Sequence, residues 1–455
     1  MGKYLNTPIS YLDRVINEFI LKQQIVQIAD ISHKLEPIEN VKSALLYALK
    51  NPKGTLPFDS MALSVKASRK NFVIGIDDNT RRNEHTKKLL AYLIEYIIAL
   101  GVDEEKIILL IASGSHRAPT ESEIATKILG KELYKQHKDN IILHRCDENC
   151  RKIDKKTKSG TPIWINSVAL DAGLIISLVD SEYHYFAGVS GNFKQIIPGI
   201  AGSETIRHNH IKMFDKKHGF NPECRLGNVE NNPIMEEMKE ITKIVMEKVP
   251  IFTIDAIVYQ GKIFHLNAGD MFELQKLAIE LLRLIREFII DEPSDVVVVN
   301  FGNTGINLYQ GGKGFHAAAN AVKEGGIIIG VGPCPDGVGN QPYEDIMGET
   351  IGESFALGRD CVMDEYCNVD KFLIGYQKII DLFNILLKVG KGNLRIISEM
   401  DSELLKNVFR IERIANGENA QDVLKKFFAR LYQTNPNARI LVLKDPDILV
   451  KVSVA

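Results

Sequence analysis

Phe72-Val-Ile-Gly-Ile76 is a short apolar run that ends directly in the polar cluster Asp77-Asp78-Asn79-Thr80-Arg81. Two later segments repeat this pattern: Ile107-Ile-Leu-Leu-Ile-Ala112 before Ser113-Gly-Ser-His116-Arg117, and Leu174-Ile-Ile-Ser-Leu-Val179 before Asp180-Ser-Glu-Tyr-His184. Short runs rich in β-branched residues are typical of buried parallel strands. Ligands of such sheets bind at the carboxyl ends of the strands, so the three polar clusters predict one reactive crevice.

The composition is that of an ordinary globular chain without a strong electrostatic preference. The 455 residues are 45% hydrophobic and 25% charged, with 56 basic against 58 acidic side chains. At roughly 150 residues per domain, this length predicts about two to three domains. Because the net charge is close to zero, we expect neither nucleic acid nor a membrane as a partner.

Three observations predict a reduced, cytoplasmic compartment. The segment Met1-Gly-Lys-Tyr-Leu5 does not open an apolar signal-peptide core, and no stretch reaches about 18 apolar residues. The six cysteines include no Cys-x-x-Cys pair. Their spacing therefore fits neither a disulfide framework nor a zinc ribbon.

Alternating helical and strand-like patterns predict an α/β fold built from two domains with largely parallel sheets. The predicted elements of the first half are a crossover helix at 87–100, an amphipathic helix at 233–249 and a hairpin at 256–266. The predicted elements of the second half are a helix at 270–290, strands at 296–299, 327–331 and 439–443, a glycine-rich loop from 302 and a helix at 314–323. We place the domain boundary between residues 270 and 294.

Neither standard nucleotide-binding glycine motif is present. The stretch Gly302–Gly314 has Asn307 where a P-loop needs its first glycine, and Gly314 where Ser or Thr would bind magnesium. Gly330-Val-Gly332 is followed by Pro-Cys-Pro, so the dinucleotide pattern fails at its third glycine.

Several polar residues have both a structural and a functional interpretation. Asp78 and Thr80 can cap a helix, or they can help Arg81 and backbone N–H groups to receive an anion. His116 and His184 follow predicted strands and can titrate near neutral pH. His208 and His210 share one side of an extended segment but diverge on a helix, where only one can bind a metal.

Three further sets of polar residues need interpretation. The three histidines at 116, 184 and 210 equal in number the protein ligands that a catalytic zinc site needs. His144 with Asp147 and Glu148 is interpreted as part of a solvated loop. Lys313, beside Tyr309 and Gln310, is either a carboxylate-binding residue or an ordinary loop lysine.

Four separated motifs resemble the nickel-pincer lactate racemase family. The longest runs from His184 through Gly191-Asn-Phe-Lys194 and Pro198-Gly-Ile to Asn209-His210. The others are Asp-Asp-x-Thr-Arg at 77–81, Gly-x-His-Arg at 114–117 and Asn-Leu-Tyr-Gln-x-x-Lys at 307–313. The motifs lie in both halves of the chain and in the family's order.

This resemblance implies a nickel ion held in a pyridinium-3,5-bisthiocarboxylic acid mononucleotide. Lys194 would carry this cofactor covalently through a thioamide, His210 would bind the nickel, and His116 and His184 would be the two acid/base groups. The other implied contacts are Asp78, Thr80, Arg81 and Gly191 at the cofactor, and Arg81, Tyr309, Gln310 and Lys313 at the substrate. Enzymes that make the cofactor would be partners in the same cell.

The implied reaction is the racemisation or epimerisation of a 2-hydroxy acid, with lactate or a related short-chain acid as the small-molecule substrate. The Cα hydrogen beside a carboxylate is poorly acidic, so removing it as hydride avoids a dianion. Inversion needs an acid/base group on each side. Residues 1–270 would form the catalytic, cofactor-binding domain, residues 271–455 would contribute substrate-binding residues, and the site would lie in the cleft between them.

Two positions depart from the family pattern. Asn192 stands where the family has its second glycine before the lysine, and Arg82-Asn83 replaces the usual Pro-Thr-Pro. We expect Asn192 to crowd or hydrogen-bond the cofactor and the altered segment to reshape the substrate pocket.

Two other functions compete with racemisation. One is a zinc hydrolase that uses His116, His184 and His210, with Asp78 or Glu182 as base. The other is a non-catalytic protein that binds or delivers the nickel cofactor.

Overall fold

The computed structural model describes residues 3–30, 36–352, 354–372 and 374–453, and it forms two compact units. The N-terminal unit comprises His33–Met213 and Glu223–Leu284. The C-terminal unit comprises Met1–Ser32, Phe214–Pro222 and Ile285–Ala455. The units are thus interleaved along the chain, whereas the predicted domains 1–270 and 271–455 are continuous.

The strands of the described residues are, in chain order, β1 Ile9–Tyr11, β2 Arg14–Ile16, β3 Ile25–Ala29, β4 Phe72–Asp77, β5 Ile107–Ala112, β6 Ile141–Leu143, β7 Cys150–Lys156, β8 Pro162–Asn166, β9 Leu174–Asp180, β10 Tyr183–His184, β11 Gly188–Val189, β12 Phe214–Asp215, β13 Gly219–Phe220, β14 Ile251–Tyr259, β15 Lys262–Gly269, β16 Glu287–Ile290, β17 Ser294–Asn300, β18 Val322–Val331, β19 Leu394–Ile397, β20 Glu412–Ala415, β21 Arg439–Leu443 and β22 Leu449–Val452.

The α-helices of the described residues are α1 Val41–Lys50, α2 Phe58–Ser68, α3 Glu84–Ala99, α4 Glu121–Glu123, α5 Lys131–His137, α6 Ser167–Asp171, α7 Ser203–His210, α8 Pro233–Met246, α9 Met271–Arg286, α10 Leu308–Ala319, α11 Gln341–Thr350, α12 Phe355–Tyr366, α13 Tyr376–Val389, α14 Ser402–Asn407 and α15 Ala420–Thr434. None of them is long and apolar enough to cross a membrane.

A six-stranded sheet in the order β15-β14-β9-β4-β5-β6 forms the centre of the N-terminal unit. All neighbours are parallel except the β14–β15 hairpin. The core packs apolar residues of this sheet against the inner stripe of α3, which includes Leu89, Leu93 and Ile97. The predicted strands, crossover helix and hairpin are confirmed, and so is the α/β class.

A second six-stranded sheet, all parallel, forms the C-terminal unit in the order β20-β19-β18-β17-β21-β3. Its edge strand β3 comes from the start of the chain and pairs with β21 from the far end. Phe19 and Ile20 of the same N-terminal segment are fully buried in this core. This pairing explains why the unit includes the first residues of the chain.

The predicted helix at 270–290 is wrong at its carboxyl end. Helix α9 ends at Arg286, and the next four residues form β16, which is parallel to β22. Phe288, Ile289 and Ile290 are aromatic or β-branched and so favour a strand once a partner strand is available. That partner lies more than 150 residues further along the chain, beyond the reach of a local pattern.

The predicted glycine-rich loop at 302–314 is also wrong, because most of it is helical. Asn307 caps α10 by accepting a hydrogen bond from the Gln310 backbone N–H at 2.8 Å. Gly311 and Gly314 of this helix face Phe301, whose ring would lie 2.8 Å and 2.4 Å from an added Cβ. These glycines therefore serve close packing and not a phosphate.

Candidate active site

The carboxyl ends of β4, β5 and β9 meet at one edge of the N-terminal unit's sheet. Strand β4 lies between β9 and β5, and Asp77 at its end is in register with Ala112 at the end of β5. The polar clusters that follow the three strands are therefore neighbours within this unit, which is the arrangement that the sequence predicts for a crevice.

Asp78 and His116 form a carboxylate–imidazole pair between the loops after β4 and β5. Asp78 Oδ2 lies 2.7 Å from His116 Nδ1, and the two side chains are 4% and 43% exposed, respectively. An ionised carboxylate can only accept hydrogen bonds, so the proton of the neutral ring is on Nδ1. Nε2 of His116 is thereby left to exchange a proton.

Asp78 stays ionised although it is buried. Burial raises the pKa of this carboxyl, but His116, the Thr80 hydroxyl and the charge of Arg81 together hold the pKa below its usual range. Thr80 donates from both its backbone N–H and its hydroxyl to Asp78 Oδ1, at 3.0 Å and 2.5 Å. In this structure Thr80 thus binds its own loop.

The side chain of Asn83 stabilises the same loop through hydrogen bonds to its backbone. Its buried side-chain amide donates to the Asp78 carbonyl at 2.7 Å and to the Arg81 carbonyl at 3.2 Å. The residue adopts a left-handed conformation with a φ of 55°, which asparagine tolerates better than most residues. Asn83, which departs from the family pattern, therefore stabilises the loop that carries Asp78 and Arg81.

His184 and Lys194 are in contact, with Nε2 and Nζ 3.4 Å apart. The Ala187 backbone N–H lies 3.3 Å from His184 Nδ1, and since an N–H can only donate, Nδ1 accepts. Nδ1 of His184 is thus an acceptor, whereas Nδ1 of His116 is a donor. The Lys194 ammonium also lies 5.2 Å from the centre of the Phe186 ring.

Lys194 extends from a tight turn at 191–195. Gly191 has a φ of 74°, and an added Cβ would lie 2.9 Å from both the Asp180 carbonyl oxygen and Ser181 Oγ. Gly191 is therefore required by the local backbone, whatever the turn binds. The Gln195 side-chain amide donates at 3.0 Å to the carbonyls of Gly75 in β4 and Leu178 in β9, which ties the turn to the sheet.

His210 is a buried, neutral imidazole at the end of α7. Burial lowers its pKa to about 3, and the positive charges of Lys194 and His116 act in the same direction. Its Nδ1 is buried without a hydrogen-bond partner among the described residues, and its ring lies 5.4 Å from that of Phe186. Because the segment is helical, His208 points away and is only half-buried.

Tyr309, Gln310 and Lys313 lie in the first turns of α10 in the C-terminal unit. Burial raises the pKa of Tyr309 to about 12, so its hydroxyl stays protonated. Tyr309 and Lys313 are four residues apart and share a helix face. The structure thus makes Lys313 a helical residue and not a loop lysine.

Sequence reasoning missed a second carboxyl–imidazole pair beside the first. His85 Nε2 lies 3.8 Å from Asp77 Oδ2. Burial raises the pKa of Asp77 to about 7, against the nearby charge of Arg81, and burial lowers the pKa of His85 to about 4. His85 stands on the first turn of the helix after the polar cluster, a position that could have drawn attention to it.

His144 was expected in a solvated loop, and this expectation is wrong. The side chain is 1% exposed. Its Nε2 lies 3.0 Å from the Ala201 carbonyl and its Nδ1 3.2 Å from the Asn166 amide. It joins three segments in the interior, which a local polar pattern does not reveal.

The described residues contain no set of three His, Cys, Asp or Glu side chains arranged to hold a metal ion. His116, His184 and His210 therefore do not form the three-ligand site that the zinc hydrolase alternative requires.

The chain matches known proteins along most of its length. Residues 12–221 match the model of the lactate racemase N-terminal domain, and residues 289–423 match that of the lactate racemase C-terminal domain. Over 329 residues the chain is 30% identical to a lactate racemase from Lactiplantibacillus plantarum, which covers 70% of this chain and 71% of that protein. It is 32% identical over 299 residues to a lactate racemase from Thermoanaerobacterium thermosaccharolyticum, covering 65% of this chain and 66% of the relative.

Solved structures agree with these matches. The lactate racemase apoprotein from Thermoanaerobacterium thermosaccharolyticum superposes with a TM-score of 0.81 at 25% identity, covering 98% of this chain and 100% of that one. A protein from Thermotoga maritima shares the fold, with a TM-score of 0.59 at 15% identity over 88% of this chain and 99% of that one.

Fold and site together define an α/β protein with histidines and carboxylates at the carboxyl ends of parallel strands. The sequence and structural matches make this protein an isomerase: the chain belongs to the lactate racemase family.

Proposed function

We propose that the protein interconverts the stereoisomers of a short-chain 2-hydroxy acid, with lactate as the first candidate, in the cytoplasm. The observation that carries this proposal is the ionised Asp78 held 2.7 Å from His116 Nδ1, beside the contact of Lys194 with a second histidine. These groups provide two imidazoles and an amine within one loop cluster of a lactate racemase family member.

The residues of the N-terminal unit fit the nickel-pincer nucleotide. His210 is neutral, and its buried Nδ1 has no hydrogen-bond partner among the described residues, which suits a single protein ligand to a metal. Lys194 reaches the same aromatic side chain, Phe186, as His210 does. A metal that arrives chelated by its own nucleotide needs only this one protein ligand, in keeping with the lack of a larger donor set among the described residues.

When bound, this group supplies a reversible hydride acceptor, so that the Cα hydrogen need not leave as a proton. The chain's own residues handle the hydroxyl proton. His116 accepts it at Nε2 while Asp78 stabilises the imidazolium through Nδ1. His184, oriented through its own Nδ1, exchanges a proton at Nε2 on the other side of the substrate.

Substrate binding falls to cationic and aromatic groups. Arg81 can hold the substrate carboxylate bidentately, and Lys313 adds a point charge. Tyr309, protonated because burial raises its pKa to about 12, and Gln310 supply hydrogen bonds. Held only by its carboxylate, a planar keto acid could present either face within the site.

The test is intact-mass and metal analysis of protein made together with the cofactor biosynthesis enzymes, followed by a chiral screen of 2-hydroxy acids. We expect one nickel and one cofactor-sized addition on Lys194, and racemisation of lactate or a near relative. Zinc on an unmodified chain with no racemisation would contradict the proposal.

The variants His116→Ala and His184→Ala distinguish a racemase from a non-catalytic protein that carries the cofactor. Each variant should keep nickel and the added mass but lose racemisation by about 10²-fold or more, the usual contribution of a positioned acid/base group. Unchanged activity in both variants would remove these histidines from the mechanism.

A further inference from the structure

The side chain of Asn192 does not point at the tip of Lys194 but into the sheet below the turn. Its amide donates to Ser181 Oγ and to Asp255 Oδ2, both at 3.2 Å. The residue is 1% exposed and has a φ of 36°. A non-glycine residue at positive φ is strained, and such strain persists only where surrounding contacts hold the residue in place.

Asp255 is an unexpected residue for its position. It lies in β14 between Ile254 and Ala256, buried and in register with Val179 of β9. Burial raises the pKa of Asp255 to about 7, while hydrogen bonds from Ser181 and Asn192 act against this. A carboxyl group in the interior of a sheet is unfavourable, and the hydrogen bonds of this one join it to Ser181 and to Asn192 in the turn that carries Lys194.

Lys194 is thereby anchored on both sides. Two residues before it, Asn192 is bound to Asp255 in β14 and to Ser181 directly after β9. One residue after it, Gln195 is bound to β4 and β9. The turn itself is closed by the Lys194 N–H to the Gly191 carbonyl at 2.8 Å and by the Gln195 N–H to the Asn192 carbonyl at 3.0 Å.

We propose that Asn192 and Asp255 are positioning residues that fix the Lys194 turn so that its amine is presented to a thiocarboxylate of the cofactor, where thioamide formation would join the Lys194 nitrogen to that carbon and release its oxygen as water. This inference rests on the proposed function, because it assumes that Lys194 is the attachment point. It also gives Asn192, where the family pattern has glycine, a role in the turn in place of the predicted contact with the cofactor.

Four variants isolate this role. Asn192→Gly removes the amide but tolerates the positive φ, and Asp255→Ala removes its acceptor. The double exchange of Asn192→Asp with Asp255→Asn restores a donor and an acceptor in reversed order. Thr253→Val is the matched control, since Thr253 is buried on the same face of β14 and its hydroxyl has no partner among the described residues.

The measurement is the rate at which each purified apoprotein gains the cofactor's mass, followed by intact mass spectrometry. We expect Asn192→Gly and Asp255→Ala to react at least about tenfold more slowly than wild type, because misplacing a reacting group by about 1 Å slows reaction steeply. The control should react at the wild-type rate, and the double exchange should recover much of it.

Hydrogen exchange of the 191–195 peptide in the same apoproteins gives a readout that needs no cofactor. We expect faster exchange in Asn192→Gly and Asp255→Ala than in the control. Attachment rates and exchange that match the control in both variants would overturn the positioning role. Absence of added mass on the wild type would instead overturn the proposed attachment to Lys194, so the two failures are distinguishable.

Discussion

At the scale of single residues, opposite hydrogen bonds at Nδ1 distinguish the two candidate acid/base groups. Asp78 accepts from His116, whereas His184 accepts from the Ala187 backbone. The neutral His116 ring presents a lone pair at Nε2, whereas Nε2 of His184 contacts the Lys194 amine. The two imidazoles therefore differ in their hydrogen-bonding surroundings.

Asp78→Asn tests this carboxylate directly. The amide can no longer stabilise an imidazolium at His116, so we expect kcat to fall by about 10²-fold or more while Lys194 keeps its adduct. Thr80→Val, which removes only one hydroxyl bond to Asp78, should reduce kcat less. The comparison needs kcat and intact mass for both variants, and an equal loss in the two would contradict the assigned role.

Burial of His144 makes the free energy of unfolding depend on pH. Burial lowers its pKa from 6.5 to about 4, so between these pH values the unfolded chain binds a proton that the folded chain does not. The stabilisation that it provides above pH 6.5 is therefore lost as the pH falls toward 4, by up to about 1.4 kcal/mol per pH unit. Denaturant unfolding at pH 7 and pH 5 should show the advantage of wild type over His144→Gln shrinking, and a constant difference would refute this.

At the scale of elements, the contact of α10 with Phe301 predicts a sharp contrast between two helical glycines. A Cβ on Gly314 would lie 2.4 Å from the Phe301 ring, whereas Gly348 in α11 has nothing within 4 Å. We expect Gly314→Ala to lower the free energy of unfolding by about 1–3 kcal/mol, and Gly348→Ala to leave it unchanged or raise it. Denaturant unfolding of both variants measures this, and a harmless Gly314→Ala would show that the packing is loose.

The sequence predicts an element well where its pattern is local. The strands that begin at residues 72, 107 and 174 were predictable because each is an unbroken apolar run bounded by a polar cluster. The end of α9 depends on β22, the distant partner of the strand that follows this helix. The glycines of α10 pack on Phe301, a tertiary contact that a local sequence pattern does not reveal. The hydrogen bond between Asn192 and Asp255 could not be predicted from the sequence either. The single carboxylate in the apolar strand β14 does indicate that Asp255 has a polar partner.

At the scale of the whole molecule, the start of the chain completes the sheet of the C-terminal unit. Phe19 is fully buried in that unit's core, 5.8 Å from the ring of Phe428. We expect Phe19→Ala to lower the stability of this unit by about 3–5 kcal/mol. Leu12→Ala, at a side chain that is 62% exposed, is the control, and equal melting curves for the two variants would contradict the assignment.

In the proposed reaction a hydride moves while the histidines exchange only the hydroxyl proton. The most direct test is to let the cofactor-loaded protein racemise lactate carrying deuterium at Cα in ordinary water, and to measure the label in the product of opposite configuration. Hydride transfer predicts that the deuterium is retained at Cα. Loss of the label to solvent would show proton abstraction and contradict it.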